Sequence, residues 1–333
     1  MSNFNTPNKR CIRKYYNKPI IRYLKEKFNC NIVYYGLPSP DAEDIAEWID
    51  YISAVVAFQC RDYGAVSNPD QPTDEVDKLI EKLNVWEESG KIEDYIVYDG
   101  YMEEVLFKGF DNSASGSIDY THDNHITLFN LDFCNSITSP QEYITKDGNK
   151  IKKYKLELID KILEYQSAVS KESDKFVLFL TVQASYTGDE LRYYSEANKA
   201  FLEKYESHQQ TEYYKAKHFK LKHFIEDNLY QRIKAYNYIP QFMPTVFYKG
   251  NNDIDMMHFA VMCIRPQENK KQGGIFVYNQ LVNDITDSLP IIPDPDNTTF
   301  KNFPDNIDNM NHPNIQFMYT FSQSKNVNMY WND

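Results

Sequence analysis

The stretch FNLDFCN (129–135) closes an apolar run with Asn130, Asp132 and Phe133. An amide, a carboxylate and an aromatic ring in so short a space could together hold a polar ligand by positioning and electrostatics. The plainer reading of the same residues is a strand end with a turn cap. Two further strand ends carry ligand-type groups. AFQCRD (57–62) offers Gln59, whose amide both accepts and donates, with Asp62 beyond it. IVYDG (96–100) offers Asp99 before Gly100, as a ligand acceptor or as a cap on the next helix.

NIVYYGLPSPDAEDIAEW (31–48) reads as a strand running straight into a helix, with Gly36, Leu37 and Ser39 in the turn. A phosphate cradle needs free backbone N–H groups at a positive helix end. Pro38 and Pro40 each remove one such donor, and Asp41, Glu43 and Asp44 fill the helix start with negative charge. A pyrophosphate would meet three carboxylates and too few donors. That excludes a nucleoside-triphosphate loop and a standard NAD site, and leaves either a different ligand or an acidic helix start that caps itself.

DYTHDNH (119–125) gathers Asp119, His122, Asp123 and His125, all metal-capable, without three ligands of fixed geometry. A solvated loop is the reading, and no metal is expected. Cys11, Cys30, Cys60, Cys134 and Cys263 form no CxxC pair, which fits free thiols in a reducing cytosol. No GxSxG elbow occurs. Cys60 and Cys134 lie at strand ends with no His nearby in sequence, which leaves only a Cys–His pair formed in three dimensions.

The net charge of −12 argues against whole-surface attraction to nucleic acid or an anionic membrane. Two local segments run the other way. Residues 1–30 set Lys9, Arg10, Arg13, Lys14, Lys18, Arg22, Lys25 and Lys27 against the single acid Glu26, with Tyr15, Tyr16 and Tyr23 interleaved. YYKAKHFKLKHF (213–224) holds Lys215, Lys217, His218, Lys220, Lys222 and His223. The first is either a nucleic-acid contact through residues 9–27 or an amphipathic lead-in helix with a solvated basic face. The second either meets phosphates or an acidic partner through residues 215–223 or is a run of long cations shielding aromatic residues beneath.

These groups must be positioned by a regular alternation. Strands are predicted at 31–37, 53–59, 94–100, 125–133 and 175–183. SAVVAFQ is apolar throughout, as a strand buried on both faces requires. Helices are predicted from Asp41, from Thr73 as N-cap, over 101–109 with Gly109 as stop, and over 152–165, 189–206 and 211–236. The last pair, 243–248 and 256–264 around NNDID, reads as a hairpin and forces an antiparallel strand. After Gly273 the pattern weakens. IFVY (275–278) could add one strand, and the Pro/Asn/Asp-rich tail ends in aromatic residues suited to packing back on the body.

Five αβ units closed by such a pair resemble the class I S-adenosylmethionine-dependent methyltransferases over residues 31–265. The resemblance implies an α/β, Rossmann-like three-layer sandwich: a mostly parallel seven-stranded sheet whose one antiparallel strand, the seventh, lies between the fifth and sixth. It implies S-adenosylmethionine as cofactor, whose ammonium and sulfonium the acids after Gly36 would tolerate. Gly36, Leu37 and Ser39 fall in the glycine-rich first motif, of which one glycine is present. Gln59 stands where an acid usually accepts the ribose hydroxyls, and Asp99 with Gly100 where an acid contacts the adenine amino group. Asn130, Asp132 and Phe133 fall in the catalytic fourth motif, without its two prolines. The alternative is a non-catalytic Rossmann-like binding or scaffold protein acting with a partner. The expected organisation is a basic segment over 1–30, the domain over 31–265 and an irregular extension over 266–333. No signal peptide or bilayer-length apolar run is found, so a cytoplasmic protein is expected.

Overall fold

The computed structural model describes residues 5–60, 75–113, 116–144, 148–172, 174–185, 216–266 and 290–301. A helical segment opens the chain. α1 (Pro7–Ile12) is capped by Thr6, whose hydroxyl accepts from the Lys9 amide, and it has proline at its start. A π-helical turn (Arg13–Asn17) carries it without a break into α2 (Lys18–Phe28), which stops at left-handed Asn29. Then come β1 (Ile32–Gly36), α3 (Glu43–Trp48), β2 (Ile52–Gln59), α4 (Glu75–Glu88), β3 (Asp94–Asp99), α5 (Met102–Lys108) and β4 (Leu128–Ser136). A hairpin of β5 (Gln141–Ile144) and β6 (Lys150–Lys153) precedes α6 (Lys155–Val169) and β7 (Lys175–Gln183). The described chain resumes in α7 (Ala216–Ala235), followed by β8 (Ile239–Phe242), β9 (Val246–Lys249), β10 (Asp255–Ile264) and a small hairpin of β11 (Ile292–Asp294) and β12 (Thr299–Lys301).

The main sheet runs β3-β2-β1-β4-β7-β10-β8, with β9 also paired to β10. Neighbours from β3 to β7 are parallel, and β10 is antiparallel to β7, β8 and β9. Sheet order reverses beside β1, where β2 lies on one side and β4 on the other. This is the Rossmann-like arrangement expected from the resemblance, including the inserted antiparallel strand. The reason is local. A tight β9-β10 connection through Asn251–Asp253 turns the chain back on itself, and only the gap beside β7 offers β10 an apolar partner along its whole length.

Alternating side chains divide the core between the two faces. Tyr16, Ile20, Leu24, Trp48, Val55 and Leu79 pack on one. Phe58, Val105, Leu158, Ile162, Phe224 and Leu229 pack on the other. The first face is covered by α1 to α4 and the second by α5 to α7. The opening helix is therefore part of the core rather than an appendage. Gly109 ends α5 as predicted, at φ 82°, its N–H bonded to the Val105 carbonyl.

Three elements differ from expectation. The strand predicted at 243–248 starts at Ile239 and breaks at Met243–Thr245, where Pro244 has no N–H to donate. Ile291 fills the break by bonding Thr245 and Phe247, which covers the edge of β9. β4 begins at Leu128, three residues later than predicted, because His122 and His125 are tied down elsewhere. The β5-β6 hairpin was not expected, although Asp147-Gly148 spells a hairpin turn. The predicted helix at 189–206, the Thr73 cap, Asp62, Lys215 and the 275–278 strand lie outside the described residues, as do the side chains of Lys27 and Lys217.

Candidate functional site

At the carboxyl edge, β1, β2, β3 and β4 end near one another, which is where an open parallel sheet takes its ligand. Gly36 pairs with Ala57 on one side and Asn130 on the other. A Cβ on Gly36 would sit 2.3 Å from the Asn130 carbonyl oxygen. The glycine is thus required for β1 and β4 to approach. In the turn after it the Leu37 N–H bonds the same carbonyl, and the buried Ser39 hydroxyl has no hydrogen-bond partner among the described residues. Ala42 takes the left-handed conformation (φ 45°) just before α3, a place usually given to glycine.

Gln59 and Asp99 are register partners, and the Gly100 N–H bonds the Gln59 carbonyl. The Gln59 amide donates to Glu75 at the start of α4, 3.2 Å away. Asp99 is buried. Its N–H bonds the Asp111 carboxylate, and its carbonyl accepts from Asn112. Asp111 also accepts from the Ser113 and Ile118 amides, so one carboxylate ties both of these residues to the end of β3.

On β4 the three candidate catalytic residues separate by face. Asn130 and Asp132 point toward the opening helix and α3, while Phe133 points to the opposite face, beneath the Lys155 ammonium 5.3 Å from its ring centre. Asn130 uses both amide hydrogens, on the Tyr34 hydroxyl (3.2 Å) and the Asp44 carboxylate (2.8 Å). Asp132 holds the Lys9 ammonium at 2.6 Å. Arg13 binds Asp44 through Nε and lies 3.2 Å from Glu43. Burial works against the charge on Lys9 and Arg13, but Asp132 and Asp44 outweigh it, so both pKa values rise. His258 completes the chamber between the Thr181 hydroxyl and the Asn17 side-chain oxygen, each at 2.9 Å. Burial lowers its pKa to about 3, which keeps it neutral. The space these groups enclose is about 20 Å³, room for one water.

The sequence offers Lys9 and Arg13 only as members of a basic segment, not as partners of Asp132 and Asp44, and it does not single out Asn17, Thr181 or His258. The available signal was the charge match between a basic helix with no acid before Glu26 and the acids at the start of α3. Of the second basic stretch, His218, Lys222 and His223 are buried rather than displayed and Lys220 is half-buried. Lys222 pairs with Glu226 inside the core, and His218 lies 3.1 Å from Asp255. Among the described residues no group of three or more His, Cys, Asp or Glu could hold a metal ion.

No protein-family model matches the sequence, and no curated protein matches it. Solved structures with some overlap include an O-methyltransferase from Bacillus cereus in complex with SAH. It is 10% identical over 74% of this chain and 80% of that one, with a TM-score of 0.34. An arsenic(III) S-adenosylmethionine methyltransferase from Chlamydomonas reinhardtii is 7% identical over 71% and 64%, with a TM-score of 0.33. An O-methyltransferase family protein from Burkholderia thailandensis is 7% identical over 76% and 57%, with a TM-score of 0.32. At this level of overlap the neighbours carry no weight for activity, and the fold rests on the strand order itself. No described helix is long and apolar enough to cross a membrane.

Proposed function

We propose that the protein is an S-adenosylmethionine-dependent methyltransferase. The observation that carries this reading is the reversal of sheet order beside β1, with Gly36, Gln59 and Asp99 ending side by side at the carboxyl edge. The residues there fit the cofactor: the Ser39 hydroxyl, unpartnered among the described residues, the Gln59 amide and the buried Asp99 lie among acids suited to a cationic ligand. Gly36, Leu37, Ser39, Gln59, Asp99 and Gly100 would hold it. When bound, it would supply an electrophilic methyl group on a sulfonium. Asn130 and Asp132 would orient the acceptor from one face of β4, and Phe133 would support the strand end from the other. All five cysteines are free, which supports a cytoplasmic setting.

A second reading, a non-catalytic Rossmann-like binding or scaffold protein, draws on one specific observation. Lys9 and Arg13 already satisfy Asp132 and Asp44, so the side of the site meant for an acceptor is closed by the chain itself. Isothermal titration with S-adenosylmethionine and its demethylated product separates the two. Binding of both is expected, with Ser39→Ala weakening it roughly three- to tenfold, the worth of one hydrogen bond. Neither heat nor a thermal shift at millimolar ligand would leave the scaffold reading standing.

A further inference from the structure

The cations of the opening helix divide by side. Lys9 and Arg13 turn inward to Asp132, Glu43 and Asp44. Arg10, Lys14, Lys18 and Arg22 recur at every fourth residue on the outward side, the first two exposed and the others half-buried. Lys18 has a carboxylate partner, Glu47 at 3.0 Å, and the other three have none among the described residues. Elsewhere several lysines, three of them on helices and Lys153 at the end of β6, are neutralised locally. Lys108, Lys153, Lys161 and Lys222 each pair with a glutamate three or four residues away. The first acid of the chain is Glu26, so along most of the opening helix no such pairing is possible. Those four lysines are neutralised within their own segments, whereas Arg10, Lys14 and Arg22 stay uncompensated among the described residues of a chain whose net charge is −12.

The π-helical turn contributes geometry. Side chains four apart on an α-helix drift by ~40°, so four cations in a row would fan over roughly a third of the circumference. The wider π turn at Arg13–Asn17 takes back part of that drift and holds the cations in one strip about 18 Å long. Beside the strip a groove of about 400 Å³ is lined by Arg10, Lys14 and Tyr15, by Pro295 and Thr298, and by Glu43 and Glu47 of α3, which pair with Arg13 and Lys18. The Lys14 ammonium lies 5.3 Å from the Tyr15 ring centre.

We propose that this strip is a nucleic-acid-binding surface, in which Arg10, Lys14 and Arg22 take consecutive phosphates and the Tyr15 ring lies beside the backbone where a base can stack. An anionic bilayer fits less well. Tyr16, Ile20, Ile21 and Leu24, the apolar side of the same helix, are committed to the core and cannot enter lipid. The inference is independent of methyl transfer, because binding is read without cofactor.

The test is fluorescence anisotropy of the full chain with labelled single-stranded RNA and a DNA duplex, from low to physiological salt. About three phosphate contacts should give a slope of log affinity against log salt near −2 for the single strand and −3 for the duplex. The triple variant Arg10→Gln/Lys14→Gln/Arg22→Gln should lose ~10-fold or more in low-salt affinity and flatten the slope, with an unchanged melting curve. Lys161→Gln on α6 should change neither. No binding at low salt, wild-type binding by the triple variant, or equally tight binding of polyglutamate or phosphatidylserine vesicles would each overturn the proposal. If nucleic acid binds and S-adenosylmethionine does not, the surface stands and the enzymatic reading falls.

Discussion

Gly36 shows how one residue can be singled out for one reason and needed for another. Its place after an apolar strand made it a cofactor residue by resemblance, yet the space beside it belongs to the Asn130 carbonyl. Gly36→Ala is expected to cost ~2 kcal/mol or more, as overpacking against backbone does. A lower urea midpoint at unchanged m would show it. Unchanged stability with lost ligand binding would return the glycine to the ligand. Asn130, Asp132 and Phe133 carry a related lesson. Adjacency grouped them, but strand alternation puts Phe133 on the other face, and that rule was legible in FNLDF itself. Their partners were not, since Lys9 reaches Asp132 across 123 residues. A double-mutant cycle with Lys9→Gln and Asp132→Asn should give a coupling energy of ~1 kcal/mol or more, because the pair is mostly shielded. Additive single effects would mean that solvent already screens it.

At the scale of elements, a chain of hydrogen bonds explains why the 119–125 loop is not simply solvated. His125 Nε2 faces the Lys175 carbonyl and must donate, so its Nδ1 accepts from Gln166 Nε2 at 2.7 Å. Gln166 Oε1 then accepts from His122 Nε2, and His122 Nδ1 accepts from the Tyr120 hydroxyl, which accepts from Tyr35. Every proton is placed by the group before it, and both imidazoles are neutral. The apolar stripe of α6 was legible. Gln166 was not, since its partners lie about 40 residues away. Fully buried, it also holds the Ile126 N–H and C=O, so Gln166→Leu is expected to cost ~2–4 kcal/mol by leaving several groups unpaired. Burial lowers the pKa of His122 and His125, against which their bonds to Gln166 and Lys175 and the nearby Asp123 and Asp174 push only partly back. The unfolded chain therefore takes up protons first as pH falls below 6.5, the ordinary imidazole value. Stability is whole above that value and drains away below it. Thermal midpoints should be flat above neutrality and decline into mild acid. Replacing both histidines by glutamine should shallow that decline, leaving the part due to His258. A midpoint that rises on acidification would contradict the relay.

For the molecule as a whole, period and order were enough. Apolar runs alternating with amphipathic stretches spelled a parallel sheet, and the closing pair spelled its antiparallel strand. The opening helix was the harder case. The sequence offers either a basic nucleic-acid contact or an amphipathic lead-in helix there, but what the apolar side of that helix packs on is seen only with the sheet in place. Tyr16, Ile20, Ile21 and Leu24 are each wholly buried in the core on the first face of the sheet, Tyr16 against His258 and Phe300. At ~1.5–3 kcal/mol per side chain they contribute roughly 6–12 kcal/mol, as much as the entire margin of a typical domain. A chain lacking residues 1–28 would also uncover Trp48 and Ile45 and leave Asp44 and Asp132 without their cations. It is expected to lose its cooperative melting transition and to bind a hydrophobic dye. Cooperative melting near the full-length temperature would mean that the sheet closes its first face without the helix, and that the ion pairs of Lys9 and Arg13 are incidental to the fold.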